Sequence, residues 1–302
     1  MDARYLTADV FTNRRYGGNQ LAVFPDAQDI PANLMQDIAR EFNYSETTFV
    51  LPPDNHANTR RVRIFTPAAE MPFAGHPTVG TAHVLAHIGE IPLIGARTSI
   101  VFEEGVGPVH VAIRGEKGRP VFAQLTAAKL PEAGPVPPPR ASIAEVLSLP
   151  VEDLLDGEFV PEAYSCGLPF LFVPLRNRDA VRRARVRLDV WERVLQSYWA
   201  PEVFVFAMDP ELAGSDVRAR MFAPGLSVLE DPATGSACAA LAGYLARRSV
   251  RMDGMLRWVV EQGFEMGRPS MIEVEADRRG GSVAAVRVGV GSVVVCEGTM
   301  SI

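Results

Sequence analysis

One pattern occurs twice in this chain, and it limits what the chain can fold into. Residues 63 to 89 read RIFTPAAEMPFAGHPTVGTAHVLAHIG, and residues 220 to 248 read RMFAPGLSVLEDPATGSACAALAGYLARR. Arg63, Phe65 and Pro67 match Arg220, Phe222 and Pro224. After three extra residues in the second copy, Glu70, Pro72, Gly75, Ala82 and Leu85 match Glu230, Pro232, Gly235, Ala242 and Leu245. Each copy has a strand-like run ending at proline, an acidic residue, a glycine turn and an apolar helical pattern.

From His76 to Ile88, and from Ala233 to Ala246, there is no Asp, Glu, Lys or Arg. A helix that is apolar on every side must be enclosed, because it has no face to show to water. Both segments fall well short of the roughly 20 residues that a membrane span requires. The expectation is therefore a chain of two halves, 1–130 and 140–302, each wrapped around its own central helix. Between them, five prolines in Pro131–Pro139 predict a stiff linker. Ser142 and Glu145 are spaced as a capping box for the helix that follows it.

The helix starts are where chemistry is expected. A helix begins with unpaired backbone N–H groups and a partial positive charge, which suit a carboxylate or phosphate. Gly75 and His76 stand at the first start, and Gly235 and Ser236 at the second, with Asp231 close by; Ser236 suits a cap. If the halves face each other, both starts converge on one cleft. Asn19 follows two glycines before the strand pattern NQLAVF, where a tight backbone could point it into a cavity; from position alone it reads as a turn asparagine. Glu46 opens the strand pattern ETTFVL.

Composition removes other classes. A net charge of −6 argues against a nucleic-acid partner. The short basic run Arg182-Arg183-Ala184-Arg185 alternates with apolar residues and reads as a solvated helix face. Three cysteines, Cys166, Cys238 and Cys296, are too few and scattered for a disulfide framework or zinc site. His83 and His87 are four apart, but no third ligand accompanies them. There is no Walker, GxGxxG or HExxH motif, so neither cofactor nor metal is expected. The N-terminus has no signal-peptide pattern, and a cytoplasmic protein without membrane attachment is expected.

GNQLAVF (18–24), YSETTFV (44–50), RIFTPAAEMPFAGHPTVGTA (63–82), EDPATGSA (230–237) and EQGFEMGRPS (261–270) together resemble the phenazine-biosynthesis isomerase (PhzF-like) family. Gln20 stands where that family often has proline. The family is related in fold to the diaminopimelate epimerases. The resemblance implies an α/β (α+β) fold of two pseudo-symmetric domains, each a curved, mostly antiparallel sheet rolled around a central buried helix, and it implies a homodimer. It also implies a cofactor-independent isomerase of the trans-2,3-dihydro-3-hydroxyanthranilate isomerase type, acting on a small anionic substrate. Glu46 falls on the family's catalytic acid and base; His76 and Asp231 would assist it. Asn19, Gly75, Gly235 and Ser236 would hold the substrate. Related racemases carry a cysteine at each helix start. Here Cys238 lies two residues inside the helix, about 200° around the axis, which argues against two-thiol inversion. The other readings are an amino-acid epimerase or racemase and a non-catalytic binder of small acids.

Overall fold

The computed structural model describes residues 2–226 and 228–302. The chain divides into two compact units, Met1–Thr126 with Gly289–Ile302, and Ala127–Val288. The first contains β1 (Asp2–Val10), β2 (Asn19–Phe24), α1 (Ala32–Phe42), β3 (Glu46–Leu51), β4 (Arg60–Phe65), β5 (Glu70–Met71), α2 (Gly75–His87), β6 (Arg97–Glu104), β7 (Gly107–Glu116) and β8 (Arg119–Thr126). The second contains β9 (Glu132–Ala133), α3 (Arg140–Val146), β10 (Glu162–Ser165), β11 (Pro169–Pro174), α4 (Arg178–Arg183), α5 (Leu188–Val194), β12 (Glu202–Ala207), β13 (Val217–Ala223), β14 (Val228–Asp231), α6 (Gly235–Arg247), β15 (Gly254–Gln262) and β16 (Ser270–Arg279). Then β17 (Ser282–Val290) runs through the division, and β18 (Ser292–Ser301) pairs antiparallel with β1, so the C-terminal end lies with the first unit. The sequence leaves the pairing of this last strand open, because strand pairing over so long a separation leaves no local signature.

In the first unit α2 packs against β1, β2, β3, β7 and β8, and every residue from His76 to Ala86 is buried. Burying Val79, Val84 and Leu85 contributes roughly 1.5–3 kcal/mol each. Packing, and not propensity, therefore holds a helix too short to persist alone. Gly80 allows the close approach: a Cβ there would lie 2.6 Å from both Leu21 and Val10. On another face, Met35, Ile38 and Ala39 of the amphipathic α1 cover Phe24, Phe49 and Phe65. The helix α1 ends at Asn43 in the left-handed region (φ 51°).

The second unit encloses α6 in the same way, against β10, β11, β15 and β16. The repeat extends to strand register. Parallel β2–β3 places Leu21 beside Glu46, and parallel β11–β12 places Phe170 beside Glu202. In both units the repeated arginine grips the repeated glutamate with two bonds, Arg63–Glu70 at 2.7 and 2.7 Å and Arg220–Glu230 at 2.8 and 2.8 Å. Each guanidinium also lies over the repeated phenylalanine, at 5.0 Å for Phe65 and 4.8 Å for Phe222.

Two expectations need correction. The proline-rich segment belongs to the second unit: Glu132–Ala133 pairs with β10, Gly134 N–H donates to Ala163, and the Tyr198 hydroxyl donates to the Pro135 carbonyl. Its stiffness serves docking, because prolines set the chain direction while the few remaining N–H groups make the bonds. Ser142 does not cap α3, which starts two residues earlier with Pro139 at the cap and no side-chain bond there. Among the described residues no helix is long and apolar enough to cross a membrane.

Candidate active site

In the first unit β3 begins at Glu46 and α2 begins at Gly75. The Glu46 carboxyl oxygen Oε2 lies 3.3 Å from Nε2 of His76, with side-chain exposures of 17% and 7%. The chain brings these two together because β3 lies beside β2, and the His76 ring bonds the backbone of Gln20 on β2. Burial pushes His76 down to about 3, against the opposing effect of that bond. The ring is therefore neutral at ordinary pH. A bond that raises a histidine's basicity is one the ring donates, so Gln20 supplies a carbonyl acceptor. With Nδ1 assigned as the nitrogen that donates to Gln20, Nε2 would turn its lone pair to the carboxyl.

Asn19, which the sequence singled out, is the first residue of β2 and is buried. The N-cap of α2 is Ala74, in extended conformation, and it offers the first-turn N–H groups no side-chain cap. Pro77 is the third residue of α2, where its missing N–H costs nothing.

In the second unit Asp231 ends β14 and α6 begins at Gly235. The cap position is held by Thr234 and not by Ser236, which is the second helical residue and half-buried. The Thr234 hydroxyl does not close on the helix either; it donates to Asp231 Oδ2. Gln262 at the end of β15 completes this network: its Nε2 donates to the Asp231 carbonyl (2.7 Å) and to Thr234 Oγ1 (2.9 Å), and its Oε1 accepts from Thr234 N–H (3.1 Å). Cys238 is fully buried and burial raises its thiol far above the ordinary range, so it supplies no thiolate. Cys166 is likewise pushed up to about 12.

His83 is buried and pushed down to about 4, chiefly by desolvation. Among the described residues no group of three His, Cys, Asp or Glu could hold a metal. A surface depression of about 810 Å³ on the first unit is lined by Asp54, Arg61, Arg63, Glu70, Glu103 and Glu104, among others, but by none of Asn19, Glu46 and His76. It is charged and open, and the chemistry points to the buried pair instead. Sequence reasoning missed Glu104, Thr234 and Gln262. The signal that could have found two of them is the repeat itself, had it been extended into the following strand.

Comparison with known proteins places these residues in context. Residues 8–298 match a family model described as phenazine biosynthesis-like protein. An uncharacterized isomerase of Mesorhizobium japonicum is 40% identical over 99% of this chain and 98% of its own. The trans-2,3-dihydro-3-hydroxyanthranilate isomerase of Pseudomonas aeruginosa is 36% identical over 98% of both chains. Among solved structures, a PhzF-family phenazine biosynthesis protein of Bacillus anthracis superposes with a TM-score of 0.90 over 100% of both chains, at 25% identity.

Proposed function

Since the chain belongs to the phenazine biosynthesis-like family and is an isomerase, we propose that it moves a proton between two carbons of a small carboxylic acid, with Glu46 as the carrier. The observation that supports this most is the 3.3 Å contact between Glu46 Oε2 and His76 Nε2 at an uncapped helix start. The ionised carboxyl of Glu46 takes a proton from one carbon, leaving the electron pair delocalised in the substrate. Its new O–H has a ready acceptor in the Nε2 lone pair. The carboxyl O–H exchanges with solvent and Glu46 then delivers a proton to a second carbon, so atoms and charge balance without any redox partner.

In this reading His76 accepts a hydrogen bond without taking the proton, because burial makes its cation costly. The N–H groups of Gly75 and His76 at the start of α2 bind negative charge on the substrate. The kinship further supports the proposal that Asn19 of the first unit, and Asp231, Gly235 and Ser236 of the second, are substrate-binding residues. The kinship also underlies the proposals of a trans-2,3-dihydro-3-hydroxyanthranilate-like acid as substrate and of a working homodimer.

The test is to incubate the protein with trans-2,3-dihydro-3-hydroxyanthranilate in deuterated water and follow product and isotope. Isomerisation, with deuterium entering the accepting carbon, supports the reading. Tight binding without exchange at any carbon would identify a binding protein, and exchange at a retained stereocentre an epimerase.

A further inference from the structure

Glu104 is the last residue of β6, only 8% exposed, and its Oε2 has no hydrogen-bond partner. Its Oε1 lies 2.7 Å from Thr78 Oγ1, in the first turn of α2. That same hydroxyl lies 2.7 Å from the carbonyl of Ala74, the residue that caps the helix. Three oxygens in a row make two short contacts, which require two protons. Thr78 has one, a carbonyl has none, and a single O–H hydrogen cannot lie on both lines. The Thr78 hydroxyl can serve only one of the two contacts at full strength, and a proton on Glu104 would serve the other.

The second unit has a comparable chain of bonds with an amide, through a threonine at the cap position that matches Ala74 and not Thr78. Arg61 pairs with Glu103 across β4–β6, and the repeat partner Arg218 pairs with Glu261 across β13–β15. The next residues, Glu104 and Gln262, therefore hold equivalent positions. Gln262 Nε2 donates to Thr234 Oγ1, which passes its own proton to Asp231. In both units a donor at the strand end feeds a threonine that feeds an acceptor before or at the helix start. An amide does this at any pH, whereas a carboxyl does it only when protonated.

We propose that Glu104 is a positioning residue held as a neutral carboxylic acid, which completes a Glu104–Thr78–Ala74 relay fixing the start of α2 and keeps negative charge away from the helix end where an anionic substrate binds. The second half of this statement rests on the proposed function. Burial independently favours the acid form, raising Glu104 to about 8 against the weaker opposite effect of Thr78. The charged groups around it are otherwise engaged. Arg63 is held by Glu70, and Arg61 by Asp54. Glu103 accepts from the N–H groups of Asp54 and Asn55 and from the Asn58 amide. In the first turn of α2 the titratable group is His76, which lies against Glu46. The strand end is itself anchored beside the helix start, with Val106 N–H donating to Pro72. An ionised Glu104 would satisfy the helix end from within and compete with an external carboxylate.

The test compares wild type with Glu104→Gln. The folded Glu104 is raised above its unfolded value of 4.5, so its contribution is complete below pH 4.5 and is lost as pH rises through about 8. Relative to E104Q, wild-type Tm should fall across that window and level off above it. With trans-2,3-dihydro-3-hydroxyanthranilate as probe, wild-type KM should rise up to about tenfold per pH unit above pH 8, while that of E104Q stays flat. A protonated-carboxyl infrared band at pH 7 that persists in Glu202→Gln but is absent from E104Q is the direct signature, and its presence in E202Q decides the matter if E104Q does not fold. Parallel Tm curves, or no such band, would overturn the relay. A KM that rises identically in both proteins would overturn the shielding role. Diverging Tm curves with no turnover of the probe would support the relay and overturn the proposed substrate instead.

Discussion

The two units place a glutamate at the same position of the same strand and use it in opposite ways. Glu46 precedes Thr47, which pairs with Phe65; Glu202 precedes Val203, which pairs with Phe222, the repeat partner of Phe65. In the first unit the carboxyl meets a neutral imidazole at a helix start. In the second, Glu202 is 2% exposed and accepts the backbone N–H of Gly225, and burial raises it to about 7. Gly225 has no Cβ for a steric reason, since one would lie 2.5 Å from Glu202 Oε1. The histidine's counterpart is Ser236, which has no ring to face the acid. The register of the strand therefore conserves the position of a carboxyl, and its neighbours decide whether it faces an imidazole or braces a turn.

The same contrast appears in the arginines. Arg63 is a fifth exposed in its bond with Glu70, whereas Arg220 is 3% exposed. Arg220 also donates to the carbonyls of Val181, Arg182 and Ala184 at the C-terminal end of α4. One arginine decorates a sheet; the other ends a helix.

The sharpest way to break the comparison is to neutralise each glutamate in turn. Glu46→Gln should lower kcat by about 10²–10⁴-fold, the usual contribution of a general acid–base group. Glu202→Gln should leave kcat within about twofold, which steady-state kinetics on the same substrate will show. An E46Q enzyme with full turnover would remove the functional asymmetry altogether.

The arginines come next. Arg220→Ala leaves Glu230 without its partner at a largely buried site and should cost about 3–5 kcal/mol. Arg63→Ala, whose partner Glu70 is 44% exposed, should cost about 1 kcal/mol or less. Denaturant unfolding of both variants measures the difference.

The smaller effects are in pH. Glu202 is raised above its ordinary 4.5, so its stabilising contribution is present below 4.5 and lost as pH rises through about 7. E202Q should flatten Tm in that window. His76 has the opposite sign: its folded value is depressed to about 3 from 6.5, so stability is complete above 6.5 and is lost as pH falls toward 3. His76→Asn should remove that part of the acid loss, as measured by thermal unfolding between those limits.

Much of this was legible before any coordinates. Two charge-free segments must be buried whatever surrounds them, and α2 and α6 are buried throughout. The repeated Arg, Phe and Glu signalled a repeated contact, and the structure shows it as an ion pair over a ring. Glu46 and His76 were singled out by separate motifs, and their approach to 3.3 Å is a fact of tertiary structure. Cap identities were less legible: Ser236 and Ser142 have capping residue types, but backbone geometry gave both cap positions to neighbours.

The sequence by itself determined which segments are enclosed and that the chain is built as a repeat, because hydrophobic pattern and recurrence are properties of order along the chain. Only the tertiary structure decided that Glu104 and Gln262 are equivalent, that Glu202 braces a turn, and that the last strand returns to the first. Those outcomes depend on register, burial and proton count between residues far apart in sequence, and no local pattern encodes them.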